Sequence, residues 1–270
     1  MIAGNFMDLS NPQAECKFAL WGANLLSYRP HQELHDVFWV AERNSFGSAS
    51  AIRGGVPVCW PRFAVEELNN HLPRHGIART SYWQPQRMQA NANRIMAEFI
   101  LNPAKHYAIA ASATMRFTIT DKLTYTLETF NRGKRPFKFS ESLHCYFNVS
   151  SIDNITIAGL DGLSYASAPD GSCRCQQGDL KINGEIDAIF EHQSGALIIT
   201  DPEYQRRIII EKEGSSNTVV WNPAKDLPDM TPGQYKHFVC VEPANVGANH
   251  ICLQPGQTHQ LSFSIQVEKL

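Results

Sequence analysis

The sequence predicts an all-β chain folded as a large, two-sheet antiparallel sandwich. Short runs of alternating apolar and polar residues recur from one end to the other. Gly, Pro and Asn punctuate those runs at close intervals, and no long amphipathic helix, repeat or low-complexity segment breaks the pattern. The size agrees: 270 residues, 43% hydrophobic and 19% charged, supply the apolar material for a large core. β-sandwiches of this length are often one domain, so residues 1–270 are read as a single domain.

Charge and cysteine usage narrow the functions. A formal net charge of -2 gives no domain-wide basic field, which argues against nucleic acid and anionic membranes as partners. Residues 1–13 carry neither a basic region nor an apolar run suited to a leader, and no stretch approaches the roughly eighteen apolar residues of a membrane helix. A cytoplasmic monomer is expected. Seven cysteines, an odd number, fit that setting. Cys16, Cys59, Cys145, Cys240 and Cys252 sit in apolar runs and read as small buried hydrophobes. Cys173 and Cys175 read as loop cysteines, because one intervening residue is a poor metal spacing and no second pair matches it.

Along the chain, residues 16–28 read as strand, Gly punctuation, strand, and residues 35–40 as a short apolar run. Residues 44–50 form a polar loop. In Ile52-Arg-Gly-Gly-Val-Pro-Val-Cys-Trp-Pro-Arg-Phe63, Pro57 and Pro61 exclude a helix interior, while Gly54 and Gly55 permit a sharp turn or close approach to a ligand. No Gly-Lys-Ser/Thr follows, so this is not a nucleotide phosphate loop. A short helix is predicted near residues 64–72. Pro73 then separates His71 from His75 and disfavours a helical metal pair, leaving Arg74, His75, Gly76 and Arg79 in one short loop.

Met115–Thr120 and Leu123–Glu128, joined by Asp121-Lys122, predict a hairpin with Met115, Phe117, Ile119, Leu123, Tyr125 and Leu127 on its apolar face. Further strands are read in residues 155–165, 180–182, 196–200, 207–211, 218–221, 237–242 and 261–267.

The segment Ser140–Val149 carries the first chemical signal. Leu143, Cys145, Phe147 and Val149 alternate as one buried face, so Ser140, Ser142, His144, Tyr146 and Asn148 share the other. That row resembles the floor of a polar cleft, although a half-exposed strand with a stray histidine shows the same pattern. Phe238-Val-Cys-Val-Glu242-Pro carries the second. Alternation puts Glu242 with Phe238 and Cys240, away from bulk water, where partial desolvation makes it a better proton acceptor. A histidine and a glutamate on separate strands could flank a bound substrate. No Gly-x-Ser-x-Gly signal supports a nucleophilic triad, and no second carboxylate supports glycoside hydrolysis.

Taken with Val220-Trp-Asn-Pro-Ala-Lys, Tyr235-Lys-His-Phe-Val-Cys-Val-Glu-Pro and Leu253-Gln-Pro-Gly-Gln-Thr-His, these segments resemble the glucose-6-phosphate 1-epimerases, or hexose-6-phosphate mutarotases, relatives of the aldose 1-epimerases. The resemblance runs from about Cys16 to Val267. It implies a galactose mutarotase-like supersandwich, His144 as general acid and Glu242 as general base. It also implies Arg53 and Arg79 on the phosphate of a hexose 6-phosphate. Ring opening and closure need only proton transfers, so no cofactor or metal is expected. Arg74 stands where some members carry Gln. Ser167 stands where the family commonly has a sugar-binding aspartate, with Asp170 three residues on. His75 joins the binding set, and Trp60, Tyr146 and Trp221 are candidates to stack on the sugar. Ser167 and Arg74 keep open a mutarotase for another sugar; a sugar-binding module without turnover is the alternative of a different class.

Overall fold

The structure is a computed structural model that describes residues 6–44, 46, 50–64 and 68–270. It is built from antiparallel β-sheets, two of them with eight strands. The back sheet runs in the order Thr156–Ala158, Leu197–Asp201, Arg206–Glu213, Thr258–Lys269, Leu123–Asn131, Ala111–Ile119, Arg94–Leu101, Gln84–Asn91. The predicted hairpin is its centre. Ile119 pairs with Leu123, and Met115, Phe117, Tyr125 and Leu127 are almost wholly buried on one face. Period-two alternation is what puts them there, and each such side chain contributes about 1.5–3 kcal/mol on burial. The last strand, Gln84–Asn91, is an edge that stays mostly exposed and polar, which suits a strand with unpaired backbone groups on one side.

The cleft sheet runs Cys173–Cys175, Ser164–Ser167, Ile186–Glu191, Asn217–Asn222, Phe238–Asn245, Glu141–Leu143, Val58–Cys59; Tyr146–Asn148 also pairs with Phe238–Asn245. Its inner face, including Leu143, Cys145, Phe147, Val220, Val239 and Val241, joins the back sheet in one hydrophobic cluster. A three-stranded sheet, Phe6–Ser10, Ala14–Ala19 and Asn24–Pro30, and the pair Phe137–Phe139 with Ile251–Leu253 complete the assembly.

Several sequence expectations shift. The single strand read through residues 140–149 is two short strands interrupted at His144–Cys145, where Cys145 N donates to Leu143 O at 2.9 Å. Residues 35–40 and 180–182 make only isolated bridges, Phe38 to Phe147, Val40 to Gly54 and Ile157 to Leu180. The helix expected near residues 64–72 falls partly on residues 65–67, outside the described residues, and residues 68–72 are turn and bend. Much of the polar loop at 44–50 likewise lies outside them. Cys252 is exposed rather than buried, because the strand Ile251–Leu253 pairs on one side only and its middle residue turns outward. Cys16, Cys59, Cys145 and Cys240 are buried as expected.

Candidate active site

The outer face of the cleft sheet carries a depression of about 540 Å³. Its floor is made where two strands meet. Ser142 pairs with Ala244 and Tyr146 with Cys240, so the same antiparallel register sets His144 opposite Glu242. His144 Nδ1 lies 3.2 Å from Glu242 Oε1, without the alignment of a hydrogen bond. Ser142 Oγ donates to the other carboxylate oxygen at 2.7 Å. The two groups were expected on either side of a substrate; instead they stand side by side, because the register makes them directly opposed neighbours on one face.

Burial is the first cause of the electrostatics here. Desolvation pushes the Glu242 carboxyl well above the usual carboxylate range, with nearby Asp187 adding to it, against the Ser142 hydrogen bond and the field of Arg79. Desolvation also pushes the His144 imidazole well below its usual value, and the fields of Arg79, Arg53 and Arg74 act in the same direction. Both shifts favour the uncharged forms, a protonated carboxyl beside a neutral imidazole.

Rings fix the imidazole. Tyr146 stacks on His144 at 4.8 Å and 9°, and Trp221 meets it edge-on at 5.6 Å and 83°. Trp39 lies near Tyr146 at 5.9 Å and 25° and packs on Phe238 at 4.5 Å. Tyr146 is thus packed between His144 and Trp39 and has no open face for a sugar. It lines the cleft through its hydroxyl, which accepts from Arg53 Nη1 at 3.2 Å. Trp221 lines the cleft and is only partly buried. Trp60 does not line it: the ring is fully buried within the main hydrophobic cluster.

The cationic rim comes from two loops. Arg53 Nε donates to Asp229 Oδ2 at 2.9 Å. Arg74, His75 and Arg79 come to the cleft from the other loop. That loop is held tight at Gly76, whose φ is +72° and where a Cβ would fall 2.1 Å from Trp60 O, so no other residue fits. Arg79 Nη2 donates to Arg74 O at 3.2 Å, and His75 Nδ1 accepts from Ala64 N at 3.3 Å. Burial, followed by the fields of Arg79, His144 and the other arginines, lowers His75 to about 2, so it is neutral.

Ser167 is the second displaced residue. It lines a neighbouring groove together with Arg174 and Glu185, and Ala168 takes the place at the cleft. Asp170 turns to Arg174 and Ser172 instead. Besides Glu242, the acid that lines the cleft is Asp187, on the strand Ile186–Glu191, next to Trp221 in the ladder; it borders the side groove as well. Sequence reasoning missed it. The available signal was the one used for Glu242, a carboxylate inside an otherwise apolar alternating run, Ile186-Asp-Ala-Ile-Phe190.

A histidine and a carboxylate within reach of one another, under arginines and beside a second acid, can exchange protons with a polar anionic ligand. Comparison with known proteins points the same way. A protein of Escherichia coli K12 that carries the provisional name glucose-6-phosphate 1-epimerase is 30% identical over 97% of this chain and 90% of its own length. One from Cenchrus ciliaris with the same provisional name is 29% identical over 88% and 77%. A crystal structure from Salmonella typhimurium, described provisionally as a mutarotase, superposes with a TM-score of 0.89 at 28% identity, covering 98% of this chain and 90% of the other. The family profile described as Aldose 1-epimerase matches residues 6–266, and the chain belongs to that family.

Proposed function

We propose that the protein interconverts the α and β anomers of a hexose 6-phosphate, glucose 6-phosphate in the first instance. The observation that carries this is the His144–Glu242 pair on the floor with Arg53, Arg74 and Arg79 around the same cleft. Opening a pyranose needs a proton taken from the anomeric hydroxyl and one given to the ring oxygen. Those two oxygens sit on a single carbon, so an acid and a base placed side by side suit the reaction better than groups on opposite faces of the ring.

Proton transfer within the pair converts the resting carboxyl and imidazole into a carboxylate and an imidazolium. Glu242 then takes the anomeric proton while His144 protonates the ring oxygen. The aldehyde forms, the adjoining bond rotates, and closure on the other face inverts the anomer. Ser142 steadies the carboxylate, and each positioned proton-transfer group is worth about a hundredfold to ten-thousandfold. Asp187 is placed to accept from a sugar hydroxyl, the part expected of Ser167. The guanidinium groups match a phosphate through charge-assisted, paired hydrogen bonds. Binding energy far from the reacting carbon holds that carbon against the pair.

The test is polarimetry. Freshly dissolved α-glucose 6-phosphate should reach its anomeric equilibrium faster with the protein than in buffer, and unphosphorylated glucose should respond far less. A rate equal to buffer for the phosphate ester would reject the proposal; equal rates for both sugars would reject the phosphate role of the arginines.

A further inference from the structure

We propose that the cleft floor is also an inhibitory zinc site, in which His144, Cys240 and Glu242 together hold one Zn²⁺ and stop proton transfer. The inference rests on the mutarotase reading for its activity assay, and on geometry alone for the metal.

Cys240 precedes Glu242 by two residues on the strand Phe238–Asn245, so both project from one face, and His144 faces Glu242 across the ladder. One ligand atom from each of the three lies within 4.8 Å of the others. Zinc takes sulfur at about 2.3 Å and nitrogen or oxygen at about 2.0–2.2 Å in tetrahedral sites, which separates neighbouring ligand atoms by roughly 3.3–3.6 Å. The 3.2 Å between His144 Nδ1 and Glu242 Oε1 is already close to that spacing. The 4.8 Å bound on the whole trio exceeds a tetrahedral edge by a little more than about 1 Å, so binding asks for a modest contraction of the three side chains. His144 Nδ1 is buried and makes no hydrogen bond, so its lone pair can serve a metal. Cys240 has no part in the proposed anomerisation; it lies in the small cluster with Trp39, Tyr146 and Phe238.

The donor set selects the ion. Nitrogen, sulfur and one carboxylate suit Zn²⁺, whereas Mg²⁺ and Ca²⁺ want oxygen throughout; His144 and Glu242 meet the cleft and Cys240 lies behind them in its apolar cluster. Binding turns the Cys240 thiol into a thiolate and releases its proton to solvent, together with the proton held by the pair. The imidazole lone pair and the carboxylate are then both occupied. Repulsion from Arg53, Arg74 and Arg79 weakens the hold on a dication, which fits a reversible inhibitor rather than a resident ion.

Cobalt(II) reports the site without any sugar. The full chain, in a phosphine reductant, should take up Co²⁺ with a near-ultraviolet thiolate-to-metal charge-transfer band that saturates at one ion per chain and is displaced by Zn²⁺. Cys240→Ser should lose the band, and Cys173→Ser with Cys175→Ser, which removes the exposed thiols of that hairpin, should keep it. In polarimetry, Zn²⁺ should slow the wild type reversibly with EDTA, and Mg²⁺ should not. Loss of a direct ligand should raise the half-inhibiting zinc concentration in Cys240→Ser by at least about tenfold, since even supporting groups cost ten- to a hundredfold. Cys240→Ala repeats the comparison if the serine variant does not melt like the wild type. No band in the wild type, a band that survives loss of Cys240, or unchanged zinc inhibition in the variant would overturn the proposal. If glucose 6-phosphate is not turned over, the cobalt arm alone still decides the site.

Discussion

Replacing Glu242 by Gln separates catalysis from stability in one residue. The side chain is 1% exposed, accepts from Ser142 Oγ at 2.7 Å and faces His144 at 3.2 Å. Gln has the same shape and can still meet the Ser142 hydroxyl, but it cannot take a proton. The loss of one positioned base should lower kcat by about a hundredfold to ten-thousandfold, with KM changed little, because the phosphate contacts lie elsewhere. Stability should move the other way. Burial raises the Glu242 carboxyl, so its protonated form is the one the fold prefers. That contribution is fully present below the ordinary glutamate value of about 4.3 and is lost as pH rises through the raised value. Gln does not titrate, so near neutral pH Glu242→Gln should melt at the same or a higher temperature than the wild type, with a flatter dependence on pH. Polarimetry gives the rate, and thermal unfolding followed by circular dichroism gives the stability. A variant with full activity would refute the base; one that unfolds more readily at neutral pH would refute the account of the buried carboxyl.

Four further outcomes follow from the same geometry. Because burial raises Glu242 and lowers His144, kcat/KM, corrected for the substrate phosphate's own titration near about pH 6, should show no histidine-like step at about pH 6.5; a tenfold change centred there would show an ordinary histidine. Arg53→Ala should raise KM for the phosphorylated sugar by roughly ten- to a hundredfold, the equivalent of one charge-assisted contact of about 1.5–3 kcal/mol, with little effect on kcat. Asp229→Asn removes the partner of Arg53 in a half-exposed pair; it should tighten binding of the phosphate ester by no more than about fivefold, and a KM more than tenfold higher would mean that Asp229 is needed to hold the guanidinium in place. His259→Ala removes the ring nitrogen that lies 2.9 Å from the buried Glu141 side chain, which also accepts from Asn245 Nδ2 at 3.0 Å; a loss of about 1–3 kcal/mol in urea unfolding is expected, and no loss would show that the pair is not stabilising.

The strands were readable because alternation is a property of neighbours in the chain. Whether a residue faces the core is decided every second position, so Met115 to Leu127, the inward Leu143, Cys145 and Phe147, and the shared face of Cys240 and Glu242 could all be assigned without a partner strand. The same periodicity could have singled out Asp187. What alternation cannot state is which strand lies beside which, and in what register. Pairing put His144 directly opposite Glu242 rather than a sugar's width away, and pairing gave Ser167 to a side groove and Asp187 to the cleft. Trp60 sank into the core and Tyr146 was covered by its neighbours because a ring's surroundings are set by elements far along the chain. The ion pair of Arg53 spans 176 residues of sequence; no local pattern encodes a contact of that reach, and only the closed sandwich brings its two ends together.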